Sequence, residues 1–485
     1  GYMKFDQWAV KFIDTPHIQR LRGIKQLGTT FYVFPGATHS RFEHSLGTAH
    51  LAYTLTKKLQ FQVCENYSEY DLRNLKCVTL AALCHDLGHG PYSYLFNRDF
   101  IRNRLEVEDW DLKVRSVMMF EDIIKNYVKL DSIGLKEEDG EFIKELIKDV
   151  DKFDYLARDC YYSGVELSYK FSRLMESSRV SSDKEQIIYS HKDCYNIYQM
   201  FHTRYSLHKV VYKHKVGRAI DHMICDALEK ADQHFNFKSA IRDPKKYMRL
   251  SDSIFYEIEY LGGLKNALLN HEIINTIEEL TEQNKHRGYT LINALLKVIS
   301  RFADGTLSDR QILDDSQVPN NSQVLDDNQE APSNDDNLKK SRDILNRIKR
   351  RDLYKFVTEY KISFEEKTFE QKTNNYRDGI TNEKIANKNP GELDKHDIIV
   401  DWLTLDYGKE SDNPVDDVKF YDKYYEVKTI YSYQVSSLLP LEYCEKIVRI
   451  YTRKNDKIEL IKNAFHKLRD ELKPTEEQLK KMDIN

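Results

Sequence analysis

The chain has 485 residues, enough for two lobes, because single hydrophobic cores rarely grow beyond about 250–300 residues. Its 74 basic and 78 acidic residues nearly balance, so the net charge of −4 indicates neither a nucleic-acid nor a membrane partner. The seven cysteines lack a Cys-x-x-Cys pair, and no apolar run approaches the roughly 20 residues of a membrane span. We therefore expect a cytoplasmic or nuclear protein without a signal peptide.

In chain order, residues 1–300 are predicted to be mainly helical, because apolar residues recur at three- and four-residue spacing over 46–59, 75–87 and 116–127. Residues 305–340 are acidic, rich in Asn and poor in apolar side chains, which predicts a disordered insertion. Helical periodicity resumes at residue 341, strand-like runs follow at 398–405 and 418–421, and a last helix is predicted over 457–472. The expected fold is mainly α, with a helical lobe over 1–300 and a smaller α+β lobe over 341–485 for regulation or oligomerisation.

Three short motifs carry candidate metal ligands, namely Arg41-Phe42-Glu43-His44, Cys84-His85-Asp86-Leu87-Gly88-His89-Gly90 and Asp151-Lys152-Phe153-Asp154-Tyr155. An adjacent His-Asp pair can place nitrogen and carboxylate ligands on one ion, and a histidine and an aspartate from other helices would complete the shell. Such a donor set suits iron, manganese, nickel or zinc. An ion held there would polarise a phosphate and lower the pKa of a bound water.

Longer motifs surround these residues and carry a family resemblance. They include Ile24-Lys25-Gln26-Leu27-Gly28, Tyr32-Val33-Phe34-Pro35-Gly36-Ala37, Ser116-Val117-Met118-Met119-Phe120-Glu121, Asp154-Tyr155-Leu156-Ala157-Arg158-Asp159-Cys160 and Met200-Phe201-His202-Thr203-Arg204. Across roughly residues 1–300 and 341–460, the sequence resembles the mammalian-type deoxynucleoside triphosphate triphosphohydrolases, which join a sterile alpha motif to an HD domain. The sequence begins inside the family's pattern, without the sterile alpha motif.

The resemblance implies a helical HD core that removes triphosphate from a deoxynucleoside triphosphate (dNTP) in one step and so regulates dNTP pools. The implied metal ligands are His44, His85, Asp86 and Asp151. The implied contacts to the triphosphate are Arg41, Lys152 and Arg204, with His89 near the α-phosphate. The implied contacts to the sugar and base are Gln26, Leu27, Tyr155, Asp159, Tyr212 and Lys213. The cofactor would be iron, manganese or zinc, with magnesium an option alongside the nucleotide.

The sequence departs from the family at the residues that would deliver a proton. Tyr94, Asn97 and Leu112 stand where the family has a catalytic histidine, an aspartate and a second histidine. Tyrosine, with an ordinary pKa near 10, is a poorer acid at neutral pH than histidine, and leucine relays no proton.

Several alternative functions therefore stay open. The same reaction could run more slowly, with His89 or Tyr94 as the acid and Arg41 assisting. A shifted attack would release deoxynucleoside mono- or diphosphates. A 5′-nucleotidase, a cyclic-nucleotide phosphodiesterase and a catalytically weak binder of nucleotides or nucleic acid are the further alternatives. For nucleic acid, the basic stretches at 208–215 and 349–351 are the candidate contacts.

Nucleotide activation is the last expectation from the resemblance. Asp14, Gln19 and Arg22 match the family's guanine-nucleotide site. The residues implied for the neighbouring activator dNTP are Phe34, Arg173, Lys192, Asn196, His214 and Lys215. Lys170, Val210 and Lys213 replace an aspartate, an arginine and a glutamine of the family. We expect GTP and dNTP activators and a homo-oligomer, either a dimer or a tetramer.

Overall fold

A computed structural model describes residues 3–63, 69–147, 153–260, 334–363, 366, 375–430 and 432–474. The chain forms two compact units. The first unit combines Gly1–Cys225, Lys238–Asp252 and Arg351–Asn485, and the second combines Asp226–Phe237 and Ser253–Arg350. Among the described helices, none has the length and apolar character that crossing a membrane requires.

The chain is predominantly helical up to residue 252. The helices are α1 (Gln7–Ile13), α2 (Pro16–Arg20), α3 (Arg41–Val63), α4 (Glu69–Cys84), α5 (Leu112–Asn126), α6 (Glu137–Ile147), α7 (Phe153–Ser163), α8 (Phe171–Ser177), α9 (Cys194–Leu207), α10 (Lys215–Phe235), α11 (Phe237–Ala240) and α12 (Pro244–Tyr247). Two π-helical segments, Leu95–Arg102 and His208–Tyr212, interrupt this series. π-Helical turns are uncommon and often lie at functional sites.

The long helices α3 and α4 pack against each other, and the predicted helices over 46–59 and 116–127 correspond to α3 and α5. The helix predicted over 75–87 extends too far, because α4 ends at Cys84 and residues 85–88 form turns. A Cβ atom on Gly88 would lie 2.3 Å from the carbonyl oxygen of Leu112. This crowding requires glycine, and periodicity within α4 cannot reveal it.

In the second unit, α13 (Asn334–Lys349) contacts the part of α10 that follows Cys225. The Ser341 hydroxyl donates to the carbonyl oxygen of Ala227 at 2.7 Å, and Leu345 and Ile348 are buried. This helix begins inside the stretch predicted to be disordered, because its buried apolar residues support a helix that extends into a polar sequence. Residues 305–333 of the predicted insertion lie outside the described residues.

Two small sheets belong to the first unit. One has the order β3 (Lys355–Lys361), β7 (Cys444–Thr452), β4 (Ile398–Asp406), with both pairs antiparallel. The other has the order β1 (Arg179–Val180), β2 (Ile187–Ser190), β5 (Phe420–Tyr421), β6 (Val427–Lys428), in which β2 and β5 are parallel. The remaining α-helices among the described residues are α14 (Asn375–Gly379), α15 (Asn382–Ala386), α16 (Ser432–Val435) and α17 (Ile458–Leu472).

The α+β character of the C-terminal region is therefore confirmed, with the predicted strand 398–405 in β4 and the predicted last helix in α17. The strand predicted over 418–421 is shorter, because the amide of Val418 bonds to Val415 in the preceding turn. Two of the hydrophobic cores among the described residues of the first unit are larger than a third, which consists of Leu403, Leu405 and Ile447. One of the two larger cores packs α17 against the β3–β7–β4 sheet, and the other lies around α7 and α9 and includes Tyr407 and Phe420.

The predicted division between lobes 1–300 and 341–485 does not coincide with the two units. A buried charge network joins α10 to β4 within the first unit. The Arg218 guanidinium donates to Asp401 at 2.9 and 3.0 Å, to Asp99 at 2.6 Å and to Asp221 at 3.0 Å. Because buried charges need such partners, this network ties the C-terminal sheet to the helical region.

Candidate metal and nucleotide site

Two histidines and an aspartate converge at the start of α3 and the end of α4. His44 lies in the first turn of α3, and His85 and Asp86 lie in the turn after Cys84. The Nε2 atom of His44 is 3.5 Å from Oδ2 of Asp86, and the Nε2 atom of His85 is 3.3 Å from Oδ1. Their candidate ligand atoms all lie within 4.8 Å of one another. The structure thus brings together three of the four predicted metal ligands.

The Nδ1 atoms of both histidines make hydrogen bonds that fix the orientation of the imidazole rings. Nδ1 of His44 is 2.8 Å from Oδ2 of Asp154, and Nδ1 of His85 donates to the carbonyl oxygen of Ala82 at 2.7 Å. Both bonds direct the Nε2 atoms toward Asp86, an arrangement typical of metal-ligating histidines. The imidazole and carboxylate donors fit a divalent transition ion. The fourth predicted ligand, Asp151, and the predicted phosphate contact Lys152 lie outside the described residues.

Arg41, the first residue of α3, adds a buried positive charge beside this cluster. Its guanidinium donates to Asp86 at 2.7 Å, to the Ser93 hydroxyl at 3.0 Å and to the carbonyl oxygen of Gln26 at 3.1 Å. Burial disfavours the charge on Asp86, but Arg41 and His85 outweigh burial and hold the pKa of Asp86 well below its ordinary value. The carboxylate is therefore ionised at neutral pH and ready to bind a cation.

Two of the proton-delivery positions, Tyr94 and Asn97, contact His89. Nε2 of His89 is 3.4 Å from Asp86, and the Asn97 amide donates to Nδ1 of His89 at 2.9 Å. Burial, reinforced by Arg41, lowers the pKa of His89 to about 4. The Tyr94 ring lies edge-on to His89 at 5.3 Å, and the Arg41 guanidinium lies 5.4 Å from its centroid. Leu112 begins α5 and contributes its carbonyl to the crowding at Gly88.

A second group of predicted contacts surrounds Asp159 in α7. Its carboxylate lies 2.8 Å from Nε2 of His39 and accepts from the Tyr212 hydroxyl at 2.5 Å. Gln26 is buried, and its side-chain oxygen has no hydrogen-bond partner among the described residues. The predicted packing residues Leu27, Tyr155 and Tyr212 all border the hydrophobic core around α7 and α9. An unsatisfied buried oxygen suits a ligand hydroxyl.

Basic residues extend from Tyr212 toward the C-terminal sheet. Arg204 donates to the backbone and side-chain oxygens of Asp406 at 2.6 and 2.7 Å. His208 lies edge-on to Tyr212 at 4.9 Å, and burial together with Arg204 and Lys213 lowers the pKa of His208 to about 3. Burial also lowers the pKa of Lys213 to about 8. This region is electropositive and suits an anionic or acceptor-rich ligand.

The predicted activator residues occupy three separate places. Near α2, Arg22 donates to Gln19 at 2.8 Å and stacks on Phe42 at 3.5 Å, and Asp14 is exposed. Near α9, Arg173 pairs with Asp193, Lys192 is exposed, and Asn196 bonds the backbone of Lys170. The third place holds Phe34, edge-on to His214 at 5.9 Å, and Lys215, which lies over Phe356 at 5.2 Å. Within the described ranges, no hydrogen bond or ion pair joins these three places.

Several supporting residues were not identified from the sequence. Asp154 orients His44, His39 holds Asp159, and Ser93 connects Arg41 to a neighbouring loop. For Asp154, the sequence signals are its place in the Asp151–Tyr155 motif and its spacing to Arg158, four residues later on α7, with which it forms an ion pair at 2.8 Å.

The comparison with protein families agrees with this geometry. The family model described as "HD domain" matches residues 41–159, the segment that begins at Arg41 and ends at Asp159. That segment contains the His44, His85 and Asp86 cluster. The fold and the site therefore define an HD-domain protein with a His-His-Asp cluster suited to a divalent metal ion.

Comparison with curated proteins identifies the family within the HD-domain proteins. The "Deoxynucleoside triphosphate triphosphohydrolase SAMHD1 homolog" of Dictyostelium discoideum is 34% identical over 488 residues, covering 96% of this chain and 79% of that protein. The proteins named "Deoxynucleoside triphosphate triphosphohydrolase SAMHD1" of Bos taurus and Homo sapiens are each 32% identical, covering 96% and 94% of this chain and 76% and 70% of those proteins. The chain belongs to this triphosphohydrolase family, which confirms the predicted family and fold class.

Proposed function

We propose that this protein is a metal-dependent hydrolase that converts a dNTP to a deoxynucleoside and inorganic triphosphate. The observation that carries the proposal is the convergence of His44, His85 and Asp86 beside a buried Arg41 and the Asp159–Tyr212 pair. A metal ligand set, a phosphate-binding cation and a hydroxyl-binding carboxylate are the parts that such a reaction requires. The names of the related proteins support the same substrate class.

The metal would be held by His44, His85 and Asp86, together with Asp151, and when bound it would polarise the α-phosphate and activate a water molecule. Iron, manganese and zinc fit the described imidazole and carboxylate donors best. Arg41 is held by Asp86, Ser93 and Gln26, so its charge is oriented before the substrate arrives. Preoriented charge stabilises a phosphoryl transition state without reorganisation during the reaction.

His89 acts as a hydrogen-bond donor to the phosphate. Because the Asn97 amide donates to Nδ1, the neutral ring carries its proton on Nε2, the atom that faces Asp86. The low pKa of His89 keeps this ring neutral at pH 7. The proton that the leaving 5′-oxygen needs then comes from Tyr94 or from water, both weaker acids than an imidazolium.

The deoxyribose would lie between the Gln26 side-chain oxygen and the Asp159–Tyr212 pair. Either the Gln26 side-chain oxygen or the Asp159 carboxylate can accept the single proton of a 3′-hydroxyl group. The Tyr212 hydroxyl is already committed to Asp159, and we expect its ring to exclude a ribose 2′-hydroxyl. Arg204 and Lys152 would hold the outer phosphates, and Lys213 would lie near the base.

The direct test is product analysis with a matched pair of variants. Purified protein is incubated with dGTP, dATP or GTP and Mn²⁺, and all products are resolved by anion-exchange chromatography. We expect deoxynucleoside and triphosphate from the deoxynucleotides, and no products after addition of a chelator. His44→Gln should abolish turnover. His17→Gln removes another buried histidine bonded to an aspartate, at 2.8 Å from Asp122, and should retain it. Equal activity of the two variants would contradict the proposed site.

The altered proton-delivery residues favour one alternative, attack at another phosphorus. Deoxynucleoside mono- or diphosphate would then be the product, because those leaving groups need less protonation than a 5′-alkoxide. We expect Tyr94→His, measured in the same chromatographic assay, to raise the rate of triphosphate release by about 10-fold or more, since general-acid catalysis is typically worth 10²–10⁴-fold. A rise in mono- or diphosphate instead would favour the alternative.

We also propose that GTP and dNTPs activate the protein and that it assembles into a dimer or tetramer. The three places that hold Asp14, Phe34, Arg173 and their neighbours carry basic and aromatic groups suited to nucleotides. Light scattering with and without GTP and dATP would measure the assembly. An unchanged mass at saturating nucleotide would contradict activation by assembly.

A further inference from the structure

Two loops of the proposed site meet beside Arg41. The Gln26 loop (residues 25–28) carries the predicted sugar contacts, and the Tyr94 loop (residues 90–94) carries the aromatic ring beside Arg41. The Ser93 hydroxyl donates to the carbonyl oxygen of Lys25 at 2.6 Å. A Cβ atom on Gly28, which has φ of 52°, would lie 2.5 Å from the carbonyl oxygen of Tyr92. The two loops are therefore in direct backbone contact.

A single buried carboxylate binds both loops. Asp252 is 8% exposed, and its Oδ1 atom accepts from the backbone amide of Tyr92 at 2.6 Å. Its Oδ2 atom accepts from the backbone amide of Lys25 at 2.9 Å. Each carboxylate oxygen therefore holds one loop, and both bonds go to main-chain atoms, which fixes the path of the chain itself.

The Tyr94 loop needs such a restraint. Tyr92 and Ser93 have φ of 55° and 59°, in the left-handed region that is unfavourable for residues with a side chain. Consecutive residues in this region persist only where their surroundings hold them there. The amide of Tyr92 is the group that Asp252 binds, so the carboxylate acts directly at the strained segment.

The same two loops determine where Arg41 points. Its Nε atom donates to Ser93 in the Tyr94 loop at 3.0 Å, and its Nη2 atom donates to the carbonyl oxygen of Gln26 at 3.1 Å. A shift of either loop would therefore move the guanidinium away from Asp86 and from a bound phosphate. Misplacement by about 1 Å is enough to slow an enzyme strongly.

We propose that Asp252 is a positioning residue of the active site, which locks the Gln26 loop to the Tyr94 loop and thereby orients Arg41. The effect on catalysis rests on the function proposed above, whereas the locking of the loops does not. The groups that face the carboxylate are the two amides, the Lys25 ammonium at 3.9 Å and the guanidinium of Arg20. Arg20 is committed to the backbone carbonyl oxygens of Leu250, Leu87 and His89.

The ionisation of Asp252 gives the role a pH signature. Burial raises the pKa of Asp252 to about 6, although the two amide bonds and Lys25 oppose this rise. Above this pH the carboxylate accepts from both amides. Below it one oxygen carries a proton and one amide loses its acceptor.

The test compares two isosteric substitutions in one segment. Asp252→Asn leaves a single side-chain acceptor for two amides. Asp243→Asn is the matched control, because Asp243 also accepts two backbone amides, at 2.9 and 3.5 Å, but caps α12 and touches neither loop. At pH 7.5 we expect Asp252→Asn to lower kcat/KM for dGTP by about 10-fold or more, the usual loss for a residue that orients a site residue. Asp243→Asn should leave kcat/KM unchanged.

The pH profile separates positioning from a general loss of structure. As the pH falls from 7.5 to 5.5, the ratio of wild-type to Asp252→Asn activity should approach one, since the wild-type carboxylate becomes protonated. A ratio that stays constant, or equal activity of both variants at pH 7.5, would overturn the proposal. If Asp252→Asn does not fold, Ser93→Ala removes the hydroxyl that joins the same loops. Its kcat/KM should also fall, and an unchanged value would overturn the proposal.

A measurement that does not depend on catalytic turnover distinguishes the locking role of Asp252 from the proposed function. Hydrogen–deuterium exchange, measured by mass spectrometry, should become faster in peptides containing residues 25–28 and 90–94 of Asp252→Asn and stay unchanged in Asp243→Asn. Unchanged exchange at these loops would overturn the locking role. Absence of dNTP turnover by the wild-type protein would overturn the proposed function alone, because the exchange rates would still report the locking.

Discussion

Asp154 should control metal affinity without binding the ion itself. Its Oδ2 atom lies 2.8 Å from Nδ1 of His44 and also accepts from Arg158 at 2.8 Å, and Oδ1 accepts from Arg158 at 2.9 Å. Burial disfavours its charge, but these bonds to His44 and Arg158 outweigh burial and lower the pKa of Asp154. The ionised carboxylate therefore fixes the His44 ring at neutral pH.

The substitution Asp154→Asn replaces one acceptor oxygen by a donor. If the amide oxygen faces His44, the amide nitrogen faces Arg158, which has only donors to offer. If the amide is reversed, His44 loses its acceptor. Removing such an orienting partner typically weakens metal binding by about 10- to 100-fold, which equals about 1.4 to 2.7 kcal/mol.

The assay is isothermal titration of the chelator-treated protein with Mn²⁺ at pH 7.5. Asp139→Asn is the matched control, because Asp139 is also buried and paired with an arginine, Arg73, but lies outside the cluster. We expect a raised Kd for Asp154→Asn and an unchanged Kd for Asp139→Asn. Wild-type affinity in Asp154→Asn, or an equal loss in both variants, would refute the view that Asp154 orients His44.

Three further predictions concern stability and can be measured by chemical denaturation. Gly47→Ala would place a Cβ atom 1.9 Å from the Asp154 carboxylate, so we expect a loss of about 1–3 kcal/mol, whereas Gly217→Ala, with nothing within 4 Å, should be tolerated. Arg218→Met should cost about 3–5 kcal/mol, because the buried Asp401 and the half-buried Asp99 and Asp221 lose their shared cation; a loss below 1 kcal/mol would contradict this. For Asp252, the pKa raised to about 6 means that the native state holds this proton more tightly than the unfolded chain. The wild type should therefore gain stability relative to Asp252→Asn as the pH falls from about 6 to 4, by up to about 3 kcal/mol, and a constant difference would contradict the raised pKa.

The sequence was sufficient to predict the long helices and the metal motifs. Apolar periodicity predicts α3 and α5, since one face of each helix packs against the core. His44, His85 and Asp86 lie in short, specific motifs, and the structure brings their ligand atoms together. The end of α4 was not predictable, because the crowding at Gly88 comes from α5, distant in the sequence.

The supporting residues escaped prediction for the same reason. His44 and Asp154 are separated by 110 positions, and Tyr92 and Asp252 by 160. Periodicity and local motifs describe neighbours along the chain, so they do not encode pairs that only the tertiary fold creates. The partial strand at residues 418–421 and the early start of α13 show that turns and buried contacts also move the boundaries of elements.

In the proposed reaction, water attacks the α-phosphorus and the bond from that phosphorus to the 5′-oxygen breaks. Incubating the wild-type protein with dGTP and Mn²⁺ in ¹⁸O-labelled water, followed by mass spectrometry of all products, tests it most directly. We expect one ¹⁸O atom in inorganic triphosphate and none in deoxyguanosine, whose 5′-oxygen keeps its original isotope and gains a proton. Labelled diphosphate, phosphate or deoxyguanosine monophosphate would instead show attack that leaves the 5′-oxygen bonded to phosphorus, and would contradict this mechanism.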